Sequence, residues 1–192
     1  LNPEFISYAD KDEDLESVRK HPGYQALKNI CRTGRKKMNE HYYSEKPTSE
    51  IKEKVFKETY KNKTLEFVSV SGVFAFENHI DKASRILIET FKPTGHKVLD
   101  MGCGYGAIGL FIKALYPQLI VTLTDINERA VLYAQKNAER NNLWVQIIKG
   151  DLYEGVGNSL FDDIVTNPPI TAGKKVVTRI ISEAREHLEY NG

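Results

Sequence analysis

Four short clusters in the second half of the chain carry side chains suited to chemistry. They are Asp100-Met101-Gly102-Cys103-Gly104-Tyr105-Gly106, Asp125, Gly150-Asp151-Leu152 and Asn167-Pro168-Pro169-Ile170. Gly104 to Gly109 satisfies G-x-G-x-x-G, and Asp125 lies 21 residues beyond Gly104, near the distance of a ribose-binding acid in a dinucleotide site. Such glycines let the backbone turn tightly into a helix and approach a ligand without Cβ obstruction. Taken alone, this stretch fits two cofactors. A pyrophosphate needs free N–H groups at a helix N-terminus, and Asp100 ahead of the glycines opposes it, suiting instead a ligand with a cationic amino group. Asp151 adds a carboxylate able to accept from an exocyclic adenine amine.

The Asn167-Pro168 pair bears on the reaction itself. The nitrogen of a planar NH₂ has a delocalised lone pair and must be oriented before it can attack a methyl group. Asn167 can accept one N–H through its side-chain carbonyl and the Pro168 carbonyl the other, which directs the lone pair at an electrophile. The prolines fix φ and stiffen the loop, limiting misplacement in a near-attack geometry.

These clusters need a scaffold that delivers loops to one edge. From Gly95 onward strands and helices alternate: strands over residues 96–100, 119–124, 144–148 and 161–166, and helices over 107–116, 128–141 and 172–190. The second of these helices turns Ala130, Val131, Ala134 and Ala138 inward. This rhythm requires right-handed crossovers and a parallel sheet, and ligands bind at the carboxyl ends of its strands. Upstream, Ile51, Val55 and Phe56 predict a short amphipathic helix over 49–60. Residues 65–70 and 73–76 predict a hairpin about Ser71-Gly72. A helix over 81–91 follows, with Ala83, Ile86, Leu87 and Thr90 inward, ended by Pro93 and Gly95. Residues 1–37 read as an N-terminal appendage of mixed charge, and residues 38–192 as the main domain.

The 192 residues suit one domain with an appendage, and 27 basic against 26 acidic residues leave a net charge of +1. A basic overall charge therefore does not itself point to nucleic acid. The two cysteines, Cys31 and Cys103, form no C-x-x-C pair, and the five histidines (His21, His41, His79, His96, His187) are scattered, so no metal site is expected. Cys103 lacks an identifiable His partner and reads as a small residue beside the ligand rather than a nucleophile. With no signal-peptide pattern and no apolar run near ~18 residues, the expected location is the cytoplasm.

The four clusters, in this order, resemble the motifs of class I S-adenosylmethionine-dependent methyltransferases. The chain is most similar to the methyltransferase small domain group, which includes ribosomal RNA guanine-N2 methyltransferases and their archaeal-type relatives. Ser71-Gly72-Val73-Phe74, Asp81-Lys82-Ala83-Ser84 and His41-Tyr42-Tyr43-Ser44-Glu45-Lys46-Pro47 also resemble that group. The resemblance implies an α/β fold: a Rossmann-like sheet with helices on both faces, preceded by a hairpin and helix. It implies S-adenosylmethionine as cofactor and no metal. Asp100 and the Gly102, Gly104 and Gly106 backbone would hold the methionine part, Asp125 the ribose hydroxyls and Ile126 one adenine face. Asp151 would meet the adenine amine with Leu152 beside it, and Asp81 and Ser84 would close the methionine end. Asn167 and Pro168 would orient the acceptor amine against the cofactor, with Pro169 and Ile170 toward the substrate.

Three departures from the family pattern stand out. Ile170 replaces an aromatic residue that would stack on a base, Ala83 replaces a glycine, and the chain stops where a fifth strand is expected in a seven-strand sheet. The fourth strand then exposes an apolar edge open to a partner or to self-association. The leading expectation is methyl transfer to guanine N2 of RNA, most simply ribosomal RNA. Protein glutamine N5, adenine N6, an inactive cofactor-binding module and, last, an NAD-dependent oxidoreductase are the other readings.

Overall fold

The computed structural model describes residues 45–168 and 174–189. The appendage of residues 1–37, the proposed boundary at Met38, Pro169 and Ile170 lie outside the described residues.

Strands β1 (Glu53–Tyr60) and β2 (Lys63–Val70) form an antiparallel hairpin, in register from Glu53 opposite Val70 to Tyr60 opposite Lys63. The chain turns at Lys61, whose φ of 51° is left-handed. The helix expected over 49–60 is therefore a strand. Ile51 and Val55 are 61% and 59% exposed while Phe56 is buried, so these three apolar residues share no face. The inner face of β1 alternates Lys54, Phe56, Glu58 and Tyr60, and its two charges are put to use. The Lys54 ammonium donates to the Phe76 carbonyl at 3.1 Å and lies 4.4 Å from that ring's centre. Glu58 accepts from the Ile80 N–H at 3.1 Å and pairs with Arg85.

Residues 73–76, expected as the second arm of a hairpin, are irregular. Strand β2 already has β1 on one side, and its other edge is covered by side chains of the helix over residues 128–140. Asn137 accepts from the Val68 N–H (2.8 Å) and donates to the Val68 carbonyl (3.1 Å). Asn141 does the same for Glu66 (2.9 and 2.8 Å). Two asparagines one helical turn apart thus imitate a neighbouring strand, leaving no edge for residues 73–76 to pair with.

Helix α1 (Lys82–Thr90) begins at Asp81, whose carboxylate accepts from the Ala83 and Ser84 N–H groups. Ser84 and Ile88 are its buried residues. Thr90, expected to face inward, is exposed and donates back to the Ile86 carbonyl at 2.7 Å. The expected inner face is rotated because Asp81 and the Glu58–Arg85 pair fix the helix by its first turn.

The second half follows the expected alternation: β3 (Lys97–Met101), α2 (Ala107–Leu115), β4 (Ile120–Asp125), α3 (Glu128–Arg140), β5 (Gln146–Lys149), β6 (Asp163–Thr166) and α4 (Lys174–Ala184). The sheet order is β5-β4-β3-β6 and every pairing is parallel. Successive residues of β3 feed two cores. Val98 packs with Val121, Leu123 and the residues of α2, α3 and the hairpin, while Leu99 and Met101 pack with Tyr153, Phe161 and Ile180. Helices therefore cover both faces of a Rossmann-like sheet.

Some boundaries and one helix face differ from expectation. Strand β5 starts at Gln146, leaving Trp144 in a loop and 90% exposed. Helix α4 ends at Ala184. Val131 is half-buried, and Tyr133 and Asn137 take the inner positions of α3. Beyond α4 the chain returns beside the start of β6, where the Phe161 N–H donates to the His187 carbonyl and the Glu189 N–H to the Phe161 carbonyl, each at 2.9 Å.

Candidate active site

The carboxyl ends of β3, β4, β5 and β6 open into a cleft of ≈ 260 Å³. Its floor is the loop after β3, anchored where the Gly102 and Cys103 N–H groups both donate to the Thr124 carbonyl at 2.9 Å. Gly104 has φ +57°, and its N–H donates to Asp125 Oδ2 at 2.8 Å. A Cβ added at Gly102 would meet no atom within 4 Å, so the backbone there is open to a ligand. Gly106 plays a different part. At φ +92° it precedes α2, and a Cβ there would lie 3.1 Å from Leu110 Cδ1 and 3.3 Å from Leu123 Cδ2, so it serves packing beneath the loop and not the cleft wall.

Asp100 is fully buried, also off the cleft wall. Its Oδ2 accepts from the Gly109 N–H at 2.8 Å, while Oδ1 has no partner among the described residues. Burial pushes its pKa up to about 7, the Gly109 bond opposes this, and the nearby Asp125 adds to it. Asp125, at the end of β4, lines the cleft. Burial raises its pKa too, against the hydrogen bonds from the Asn127, Gly104 and Ile126 backbone. Asp125 Oδ1 accepts from the Asn127 N–H at 2.9 Å and Oδ2 from the Gly104 N–H at 2.8 Å, and the carboxylate keeps acceptor capacity for a ligand hydroxyl.

Ile126 lines one side of the cleft, and Asp151 and Leu152 another. Asp151 Oδ2 stands 3.4 Å from Arg179 Nη1, and Leu152 takes a left-handed φ of 48°. Asn167 closes the far side, where its Nδ2 donates to Asp81 Oδ1 at 3.2 Å and to Ser84 Oγ at 3.1 Å. Of the residues singled out from sequence, the structure brings Gly102, Gly104, Asp125, Ile126, Asp151, Leu152, Asn167, Asp81 and Ser84 to one cleft. Asp100, Gly106 and Pro168 stay outside its wall.

Sequence reasoning missed Asn127, Val176 and Ile180, which also line the cleft, and the direct part of Val73, Phe74 and Ala75. Asn127 caps α3 and donates to the Gly72 carbonyl at 2.8 Å. Its position just after Asp125-Ile126, at a helix start, was the available signal. Arg129 extends this junction. Its guanidinium donates to the carbonyls of Ser71 (2.7 Å), Pro47 (3.0 Å) and Ser49 (2.9 Å) and to the Ser49 hydroxyl (2.9 Å). Residues 47–49 and the loop that supplies Val73, Phe74 and Ala75 are thereby held to the start of α3.

Chemically the cleft is acidic. Asp81, Asp125 and Asp151 line it and Asp100 lies behind the glycine loop, an arrangement that favours a cationic ligand and opposes a pyrophosphate. Apolar walls from Ile126, Leu152, Val176 and Ile180 suit a planar ring. The Cys103 thiol is buried and burial pushes its pKa well up, which disfavours the thiolate form. Among the described residues no group of three or more His, Cys, Asp or Glu could hold a metal ion.

The methyltransferase small domain profile matches residues 64–192. The chain is 42% identical over 159 residues to the "uncharacterized protein YbxB" of Bacillus subtilis (strain 168), covering 81% of this chain and 79% of that one. It is 36% identical over 133 residues to ribosomal RNA small subunit methyltransferase C of Pasteurella multocida (strain Pm70), covering 67% of this chain and 40% of the relative. Among solved structures it is similar to the Thermus thermophilus 16S rRNA N2 G1207 methyltransferase (RsmC) in complex with AdoMet and guanosine. That match has a TM-score of 0.65 and 28% identity, over 74% of this chain and 41% of that one. The chain thus spans less than half the length of both of these ribosomal RNA methyltransferases.

Proposed function

The chain belongs to the methyltransferase small domain family, and from that premise we propose that it transfers a methyl group from S-adenosylmethionine to guanine N2 of RNA, most simply ribosomal RNA. The observation that carries this reading is the state of Asn167. Both hydrogens of its amide nitrogen are taken by Asp81 and Ser84, which leaves its carbonyl oxygen to accept an N–H from a substrate amine. A group with an acceptor in that place, beside an acidic cleft, is suited to orient a planar NH₂. The guanosine bound in the Thermus thermophilus relative supports guanine as the acceptor.

The residues present fit the cofactor. Its sulfonium and amino groups are cations that suit the acidic cleft, and its ribose diol can donate to the Asp125 oxygens. Ile126 and Leu152 offer apolar contact to its adenine, and Asp151 an acceptor for the adenine amine. Bound there, S-adenosylmethionine supplies an activated methyl group on a good leaving group. The protein's part is then to orient the amine through Asn167 and the Pro168 carbonyl and to exclude water, for which correct placement supplies most of the acceleration. Pro169 and Ile170 would follow on the substrate side. Asp100 would act from behind the loop, its carboxyl held through Oδ2 by the Gly109 N–H.

No helix among the described residues is long and apolar enough to cross a membrane, in keeping with a protein that meets RNA in the cytoplasm. Among the described residues β6 pairs along Asp163–Thr166 with β3, and on its outer side, where Leu188 already bridges Phe161, a further strand or a second chain would add.

Labelled methyl transfer to bulk RNA and to bulk protein tests the reading, followed by digestion of the labelled RNA to nucleosides. Label in N2-methylguanosine is the expected result. Label confined to protein, or to N6-methyladenosine, would replace guanine as the acceptor, and binding of NADH in place of S-adenosylmethionine would end the methyltransferase reading. Asn167→Ala should lower turnover by roughly 100-fold or more, as loss of a positioning contact does, while cofactor affinity changes little.

A further inference from the structure

We propose that Asp81 and Ser84 are positioning residues for the acceptor amine: they fix which end of the Asn167 amide faces the cleft. The inference rests on the reading of Asn167 given above and adds what makes that residue an acceptor rather than a donor.

A side-chain amide has two nearly equivalent ends of opposite function, one carbonyl oxygen and one NH₂. With its NH₂ toward the substrate, Asn167 would present donors to a group that is itself a donor. The structure contains a device against this. Asp81 Oδ1 lies 3.2 Å from Asn167 Nδ2, and a carboxylate can only accept, so it tolerates the NH₂ end and repels the carbonyl end. Ser84 Oγ, 3.1 Å away, takes the second hydrogen. A hydroxyl could serve either amide end, so Asp81 sets the choice and Ser84 completes it.

The carboxylate is itself held in place. Its Oδ1 accepts from the Ala83 and Ser84 N–H groups, each at 3.1 Å, at the start of α1, where the helix dipole favours a negative charge. Ser84 is 5% exposed, so the pair sits in a rigid frame. Upstream, Glu58 of β1 holds Ile80 and Arg85 on either side of Asp81, which connects the hairpin to the orientation of the reacting group. The sequence suggests that Asp81 and Ser84 touch the cofactor; both line the cleft, and both also bond Asn167.

The test is Asp81→Asn in the full chain, because Asn caps a helix about as well as Asp yet can donate and so admits both amide orientations. Cofactor affinity is read by calorimetry, turnover with labelled S-adenosylmethionine on bulk RNA, and the Asn167 side-chain amide by nitrogen-15 NMR. Expected are a turnover roughly 10- to 100-fold lower at saturating cofactor, a cofactor Kd raised by less than that factor through the loss of one cleft carboxylate, an unchanged melting temperature, and displaced Asn167 amide resonances. Ser84→Ala should show a smaller loss of the same kind. In an Asn167→Ala background Asp81→Asn should cost nothing further. A parental turnover in Asp81→Asn while Asn167→Ala is crippled overturns the inference alone. So does a raised cofactor Kd with turnover intact, which would make Asp81 a cofactor ligand. Parental turnover in Asn167→Ala overturns the amine-orienting reading and the inference together. Unmoved Asn167 amide resonances in Asp81→Asn overturn the inference whatever the acceptor proves to be.

Discussion

Replacing Asn137 with alanine should unfold the protein more readily than any surface change on the same helix. Asn137 is fully buried and makes three hydrogen bonds: from the Val68 N–H at 2.8 Å, to the Val68 carbonyl at 3.1 Å, and to the Tyr105 carbonyl at 2.9 Å. Alanine removes all three and strands one backbone donor and two acceptors at a site too enclosed for free hydration. At about 1 kcal/mol per bond, more where a buried group is left unsatisfied, the loss is about 3 to 5 kcal/mol. For a chain of this size that lowers the melting temperature by about 10 °C. Asn141 is a matched comparison, since it makes the same pair of bonds to Glu66 (2.9 and 2.8 Å) at a partly exposed position, and Asn141→Ala should cost about 1 to 2 kcal/mol. Urea unfolding followed by circular dichroism measures both. Because Tyr105 belongs to the glycine loop, Asn137→Ala should also weaken cofactor binding, and Asn141→Ala should not. A loss below about 1 kcal/mol, or one no larger than that of Asn141→Ala, would refute the idea that these asparagines seal the edge of β2.

Two further changes probe the ground beneath the cleft. Arg129→Ala releases residues 47–49 and the Ser71 carbonyl from α3, and should speed hydrogen exchange there and weaken cofactor binding severalfold while costing about 2 kcal/mol of stability; Arg129→Lys, lacking the fork, should rescue little. Asp100 has a folded-state pKa raised from 3.8 to about 7 by burial, so the unfolded chain gives up its proton first as pH rises, and the stability Asp100 contributes is complete below about 4 and lost by about 7. Asp100→Asn removes this dependence, so urea unfolding should show the variant gaining on the parent between pH 5 and 7, by at most about 1.4 kcal/mol per pH unit; parallel profiles would contradict the buried-acid account.

The parallel sheet was legible because each of its strands is a short apolar run ending in a glycine, an acid or the Asn167-Pro168 pair, and each helix between them has a marked start or stop. Such local signals suffice to place the strands and helices along the chain, although the sheet order β5-β4-β3-β6 sets β6 beside β3 and not beside β5. Of the hairpin only β2 was legible, over residues 65–70, and the reason its partner was not is visible in β1. Its inward positions include Lys54 and Glu58, which exist to hold Phe76, Ile80 and Arg85, and an inward charge erases the alternation that announces a strand. The same long-range demand misplaced residues 73–76, since nothing near them in sequence shows that Asn137 and Asn141 have taken the edge of β2. At the site, most of the residues singled out by type gather at one cleft, while the partners of each were not legible. Asp100 and Gly106 lie within the motif yet off the cleft wall, whereas Asp81 and Ser84 line the cleft and also bond Asn167. A motif records which residues a loop requires. Which of them faces the ligand depends on partners as distant as the 86 positions that separate Asp81 from Asn167, and only the fold brings those together.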